Sequence, residues 1–302
     1  MENLKKALQS PFKKGIIRGT LNSKGYFKCF LDNVYDNHMC DNHQEMFNHG
    51  SGKELHSKAR AVHSSSMLGY NFFSWIDEQH PFVFNDVTYT KVYFEVQLRP
   101  LRINTYPANM DIVLEGDKNG KRVLLFIESK FLEYTENHKI LEMPISYTNS
   151  KKYNDGCNWV ELADKIKEEF VDSGQYNEGI KQSFCHLVAL DALNSKKALA
   201  WFNENNEHLK LHIEDIELVD ILFANAIFCP QKNFDEECKM YDNYETLYRK
   251  HFMTLLVKEL HSDSIHPQWF NYSQIWDVMK TQINDPKRIE YIQNRYMDFA
   301  KK

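Results

Sequence analysis

Asp117-Lys118-Asn119-Gly120 separates two apolar runs, residues 110–114 and 123–130. Asn-Gly between such runs is a strong signal for a tight β-hairpin. A chain that makes this turn must pair the two runs antiparallel, so a sheet lies at the centre of whatever it folds into. The second run reads Val-Leu-Leu-Phe-Ile and then carries Glu128 and Lys130, two residues apart and on one strand face. Charges at the end of a strand that otherwise reads as core cost free energy unless they are paired, hydrated or bound to an ion.

The turn sets the neighbours of those charges. With Asp117–Gly120 as a four-residue loop, Gly116 faces Lys121, Asp111 faces Phe126 and Glu128 faces Asn109. Asp111, Glu128 and Lys130 then project from the same face, with the two carboxylates as diagonal neighbours. Upstream, residues 91–98 alternate as a strand, with Val92, Phe94, Val96 and Leu98 on one side. If the loop from Arg99 to Tyr106 is centred near Ile103, Glu95 lies opposite Asp111 and joins the same face.

Carboxylates gathered in this way repel one another, and their pKa values rise. A divalent cation removes the conflict, and hard oxygen ligands with open water positions suit Mg²⁺ or Mn²⁺ rather than Zn²⁺. Such an ion activates water and stabilises a phosphorane-like transition state, while Lys130 positions the nucleophile or polarises a scissile phosphate. The Glu-x-Lys spacing alone is commonplace. Glu237-Cys238-Lys239 repeats it on a predicted helix with no chemistry attached.

The remaining pattern predicts a helix over 53–76, a short strand or hairpin arm over 82–89, and helices over 159–171 and 176–193. A buried strand follows over 216–229, then helices over 235–260 and 273–300. Helix, three strands, helices, strand, helices is the order of an α/β fold with a mixed sheet flanked by helices on both faces. The formal net charge of −5 over 302 residues excludes indiscriminate coating of nucleic acid but leaves room for a local basic groove. Six cysteines without CxxC spacing, a start without an apolar leader and no run of membrane-spanning length predict a cytoplasmic protein with free thiols and no membrane partner.

Asn109-Met110-Asp111 followed by Glu128-Ser129-Lys130 across a hairpin resembles the PD-(D/E)XK nuclease superfamily. Residues 63–73, His-Ser-Ser-Ser-Met-Leu-Gly-Tyr-Asn-Phe-Phe, are similar to a helix in a restriction-endonuclease-like bacterial branch. Tyr176-Asn177-Glu178-Gly179-Ile180-Lys181-Gln182 opens a helix where exonuclease-type members carry a site-facing glutamine. The resemblance implies a restriction-endonuclease-like core over 52–230, with an N-terminal extension over 1–51 and a helical C-terminal region over 231–302 packed on it. It implies a metal-dependent nuclease acting on DNA phosphodiesters, endonuclease rather than exonuclease, with an association with restriction or defence. RNA as substrate and a homodimer as assembly stay open.

By the same resemblance Asp111 and Glu128 bind the metal, Lys130 positions the nucleophile and Gln182 contacts DNA or water at the site. Glu54, at the start of the first helix, is the candidate for a further metal ligand, although acidic residues favour helix starts without any function. Glu95 is the other candidate, and a charged residue on an outer strand face also needs no function. The nearest proline to Asp111 is Pro107, not the preceding residue, and Gln182 is followed by Cys185, His186 and Leu187 where a tyrosine or leucine is common. The rival expectation is a catalytically inactive nucleic-acid or protein-binding module on the same fold.

Other features read more plainly as structure. Cys29, His38, Cys40, His43 and His49 fit no standard zinc spacing. Ser64, Ser65 and Ser66 lack a nucleophile elbow. His186 reads as a histidine at the core edge, Trp269-Phe270-Asn271-Tyr272 with Trp276 as a packing seam rather than a base-stacking platform, and Lys151-Lys152 and Lys196-Lys197 as solvated pairs.

Overall fold

Two Asn- and Asp-rich turns organise the sheet. The computed structural model describes residues 2–50, 54–99, 107–135, 159–172, 178–259 and 267–301. The strands are β1 (Phe82–Phe84), β2 (Val87–Leu98), β3 (Ala108–Lys118), β4 (Lys121–Lys130), β5 (Val219–Ile227) and β6 (Pro267–Asn271). They lie in sequence order across one mixed six-stranded sheet. β1 to β4 form an antiparallel meander, whereas β5 and β6 add in parallel.

Asn85 and Asp86 join β1 to β2, and Asn119 and Gly120 join β3 to β4. All four have positive φ, the requirement of a two-residue type I′ turn. Lys118 therefore pairs with Lys121, and Ile112 with Ile127. The expected four-residue loop is corrected to two residues, because Asn119-Gly120 closes the turn alone while Asp117 and Lys118 stay in the ladder. Asp117 assists by accepting the Gly120 N–H at 2.8 Å. The shift moves the register by two positions rather than one, so every side chain keeps its face. Asp111 now comes level with Glu128 instead of Phe126, one step beyond the Ile112–Ile127 pair.

The β2–β3 register is the expected one. Phe94 pairs with Ile112 and Val96 with Met110, bracketing Glu95 and Asp111. The loop expected between them falls at 100–106, outside the described residues.

The helices are α1 (Glu2–Ala7), α2 (Ser10–Lys13), α3 (Asp41–His49), α4 (Ser65–Phe73), α5 (Trp159–Ile166), α6 (Glu178–Asp191), α7 (Lys196–Asn205), α8 (Asp235–Glu245), α9 (Met253–Glu259), α10 (Tyr272–Met279) and α11 (Pro286–Arg295). They cover both sheet faces. α4 lies on the Ile112–Ser129 face, where a Cβ on Gly69 would stand 2.5 Å from Ile112 Cδ1. α6 lies on the opposite face, with Gln182 and His186 against Lys130 and Glu128.

Several predicted elements differ from those observed. The helix expected over 53–76 is broken into 3₁₀ turns at Glu54–His56 and Lys58–Arg60 and then α4. Ala61 pairs with Tyr26 in an isolated bridge, and Ser64 caps α4 by accepting the Met67 N–H at 3.3 Å, so the chain cannot continue one helix between them. The helix expected over 273–300 divides at Asp285-Pro286, where the Asp285 carboxylate accepts the N–H groups of Lys287 and Arg288. By contrast 235–259 is continuous, with α8 passing through a π turn, Thr246–Phe252, into α9. The aromatic run expected in a helical region forms β6 instead, and Trp269 packs among the rings of Tyr241, Tyr244 and Tyr248.

One apolar core runs from Leu4 to Ala300 and draws on both chain ends. The Leu4 N–H donates to Glu237 Oε1 at 3.2 Å, and the fully buried Arg295 donates to Asn33 Oδ1 at 2.9 Å and to Val62 O. Cys29, Cys40, Cys185, Cys229 and Cys238 are not in disulfides, and Cys157 lies outside the described residues. Among the described residues no helix is long and apolar enough to cross a membrane.

The turn is testable by itself. Gly120→Val places a β-branched residue at φ +84° and is expected to lower stability in urea denaturation by about 1–2 kcal/mol. An unchanged midpoint would mean that the turn does not set the register.

Candidate functional site

The ends of β2, β3 and β4 bring together side chains that an ordinary core excludes. Glu95 leaves the regular ladder, with φ of 54°, a costly conformation for a residue with a Cβ. Its carboxylate is buried, and Oε2 accepts from Asn109 Nδ2 at 2.9 Å. The chain leaving α3 passes directly over it. A Cβ on Gly50 would stand 2.8 Å from Glu95 Oε2, so glycine is the residue that permits this approach. Burial pushes the Glu95 carboxyl up to about 7, with repulsion from Glu54 and Glu128 adding to it against the Asn109 hydrogen bond.

Asp111 accepts the Ser129 N–H through Oδ2 at 2.8 Å. Burial first, then the Glu128 and Glu95 charges, hold its carboxyl well above the usual range, with Lys130 opposing. Glu128 is 3% exposed. Its Oε1 accepts from Lys130 Nζ at 2.6 Å. Its Oε2 has no hydrogen-bond partner and lies 3.4 Å from His186 Nδ1, which is unpartnered too. Lys130 donates again to Gln182 Oε1 at 2.6 Å. Burial works against the Lys130 charge, yet Glu128, Glu133 and Asp111 outweigh it and hold the ammonium above the usual lysine range. His186 goes the other way, since burial lowers its pKa despite the neighbouring Glu128, which keeps the ring neutral near pH 7.

The six candidate site residues, Glu54, Glu95, Asp111, Glu128, Lys130 and Gln182, lie in or beside this cluster. Asp111, Glu128, Lys130 and Gln182 form one connected group with His186, and Glu95 joins it through charge and through Asn109. Glu54 is buried at its edge, accepting the Ser66 hydroxyl at 2.6 Å, with Lys58 Nζ 3.9 Å from its other oxygen. Among the described residues, no three His, Cys, Asp or Glu side chains stand together in metal-ligand geometry. Lys130 holds one oxygen of Glu128, and the Ser129 N–H holds one of Asp111. The donors are nonetheless hard oxygens, buried at Glu54, Glu95 and Glu128 and half-buried at Asp111, and their mutual repulsion is not fully neutralised by one lysine.

Ser64, Ser65 and Ser66 serve local structure: a helix cap, a backbone acceptor for Ser129 Oγ and a partner for Glu54. His43 packs against Tyr70 and Phe94, and His49 stacks on His208. Tyr176, Asn177, Lys151 and Lys152 lie outside the described residues.

Sequence reasoning missed the layer behind the site. Asn225 on β5 is level with Glu128 on β4, and its amide bonds Tyr248 OH and Ser183 Oγ. Ser183 follows Gln182 on α6, so this buried group ties α6 to β5 and to the π segment that carries Tyr248. Tyr244, one helical turn before Tyr248, is buried with an unpartnered hydroxyl, close enough to Lys130, Glu128 and Glu133 to interact with their charges. The signal available was the spacing Tyr241, Tyr244, Tyr248, which as a stripe on a helix reads as core.

No protein-family model, curated protein or solved structure matches the chain.

Two outcomes are expected without any assumption about activity. The Glu95 carboxyl binds its proton more tightly folded than unfolded, so its stabilising contribution is present below about pH 4.5 and lost as pH rises through about 7. In chelator, the urea midpoint should fall between pH 5 and 8 by an amount equivalent to roughly 1–3 kcal/mol, and Glu95→Gln should flatten that fall. Equal slopes for both proteins would contradict the burial argument. Tyr248→Phe should cost about 1–2 kcal/mol because it strips a partner from buried Asn225, while Tyr244→Phe should change thermal stability little. Equal losses from both would remove the distinction.

Proposed function

We propose that the chain is a divalent-metal-dependent nuclease that hydrolyses DNA phosphodiester bonds, on a core resembling the PD-(D/E)XK fold. The observation that carries this reading is the convergence of Asp111, Glu128, Lys130 and Gln182, with Glu95, at one end of the sheet. Asp111 and Glu128 would hold Mg²⁺ or Mn²⁺, with Glu95 or Glu54 completing the acidic surround. When bound, the ion lowers the pKa of water and withdraws charge from phosphate oxygens.

The protein's own groups supply the rest. Lys130 keeps its proton at all working pH values, so it acts as a donor and a fixed positive charge rather than as a base. Its ammonium would orient a water or meet the charge that develops on the phosphate. Gln182, accepting from the same ammonium, fixes its direction. Neutral His186 and the unpartnered Glu128 Oε2 leave an acceptor free to receive a cation or a proton from water.

A specific observation favours the second reading, a binding module without activity. Glu128 and Lys130 already neutralise each other at 2.6 Å, and among the described residues the acids do not stand as a ligand trio. One set of assays separates the two. On supercoiled plasmid and on oligonucleotides with Mg²⁺ or Mn²⁺, wild type should cleave, and Asp111→Ala and Lys130→Ala should each lose at least about 100-fold. Calorimetry should find Mn²⁺ binding in wild type and Lys130→Ala but not in Asp111→Ala. Metal binding without cleavage of any nucleic acid would sink the nuclease; no metal binding in wild type would sink the metal site.

A further inference from the structure

The first 28 residues hold six lysines and Arg18 against one acidic side chain, Glu2. That segment carries a formal +6, so the chain's net of −5 leaves −11 on residues 29–302. Lys13, Lys14, Arg18, Lys24 and Lys28 are all exposed, and none has a carboxylate partner among the described residues. Two large apolar side chains left exposed, Ile16 at 57% and Tyr26 at 38%, lie between them.

This basic surface is joined to the carboxylate cluster. The Phe27 N–H donates to Arg60 O at 2.8 Å, and Arg60 Nε donates back to Phe27 O at the same distance. Tyr26 pairs with Ala61, and the Val62 N–H donates to Gly25 O at 2.9 Å. Two residues before Arg60, Lys58 is 78% exposed with its ammonium 3.9 Å from Glu54. Positive charge therefore starts at the rim of the acidic site and continues through Arg60 onto the N-terminal segment. A lone surface lysine is ordinarily just solvated. Exposed cations at Lys13, Lys14, Arg18, Lys24 and Lys28, set apart from a strongly acidic body and continuous through Arg60 and Lys58 with a buried acidic site, favour a polyanion as partner.

We propose that residues 13–28, with Lys58 and Arg60, form a docking surface for the phosphate backbone of duplex DNA whose scissile bond enters the carboxylate–lysine site. The choice of partner rests on the nuclease reading; the charge argument does not. An anionic membrane would meet the same lysines, but Leu4, Leu8 and Phe12, the apolar side chains that would enter a bilayer, are buried in the core. Tyr26 and Ile16 instead suit contact with sugars and bases beside a phosphate track.

The test is fluorescence anisotropy of a labelled duplex titrated with full-length protein in chelator, between about 50 and 200 mM salt. The variant carries Lys14→Gln, Arg18→Gln, Lys24→Gln and Lys28→Gln together. All four side chains are exposed, so far-UV circular dichroism and the thermal midpoint should match wild type. Its duplex affinity should fall at least about tenfold, and the slope of log affinity against log salt should shrink by up to about 3–4. The control, Lys196→Gln with Lys197→Gln, removes exposed lysines at the start of α7 and should stay within about twofold of wild type. Affinity and slope equal to wild type would overturn the proposal, as would wild-type protein that ignores DNA yet binds vesicles of mixed phosphatidylserine and phosphatidylcholine. Binding is read in chelator, so it is independent of cleavage. Loss of affinity in the variant upholds the surface even where no metal supports cleavage and the nuclease reading fails.

Discussion

The hydrogen-bonded pair of Lys130 and Glu128 is the interaction on which the arrangement of this protein turns. Two charges at the end of a buried strand are tolerable only when well paired, and breaking such a pair leaves the survivor uncompensated. Here one lysine must answer for Glu128, Glu133 and Asp111. The sheet end is consequently over-supplied with carboxylate. Apart from Lys58 beside Glu54, the surroundings accommodate this with neutral donors: the Ser129 N–H for Asp111, Asn109 for Glu95 and Ser66 for Glu54. Gln182 then accepts from the lysine, and Asn225, Ser183 and Tyr248 tie α6, β5 and the π segment after α8 together behind it.

What the sequence made legible was the part governed by short-range rules. Asn119-Gly120 announced a hairpin, and alternation from Val92 to Leu98 announced its neighbour. The predicted loop was two residues too long, yet the site residues kept company, because strand faces repeat every two residues and the error was even. The match across 99–106 had less to support it and still gave the observed β2–β3 pairing, since Phe94 and Val96 both need the core face. The break at Ala61–Ser64 was not legible. Apolar spacing from Leu55 to Phe73 suits a helix, and it is interrupted by contacts of residues 60–62 with the distant segment 25–27. β6 was hidden for a related reason: Trp269-Phe270-Asn271 is short, and its pairing with β5 is long-range. Tyr244 and Tyr248 lie on a predicted helix and drew no reading of their own, because their polar ends acquire meaning only when the partners they face are known.

The helix running from α8 into α9 illustrates how a buried stripe can also serve a site. α8 turns into a π segment at Thr246–Phe252, just where Tyr248 reaches Asn225. π turns alter the direction of side chains along a helix and are frequent at functional sites. With β6 in the sheet and Arg295 bonded to Asn33, residues 235–259 and 267–300 contribute to the same core as the strands. The acidic cluster is therefore enclosed by segments far apart in the chain.

The strand order has a consequence for how the molecule forms. β1 to β4 are consecutive hairpins, and bonds such as Asn109 to Glu95 and Ser129 to Asp111 span only 14 and 18 residues. Gln182 meets Lys130 across 52 residues, and Arg295 meets Asn33 across 262. Loop closure grows more costly with separation, so the meander is expected to assemble before its covering helices and parallel strands. The carboxylates would then gather while still open to water and to dissolved ions, and would be desolvated only as the later segments dock. On that route a cation could enter the nascent chain as a folding partner, before the site it occupies has been sealed.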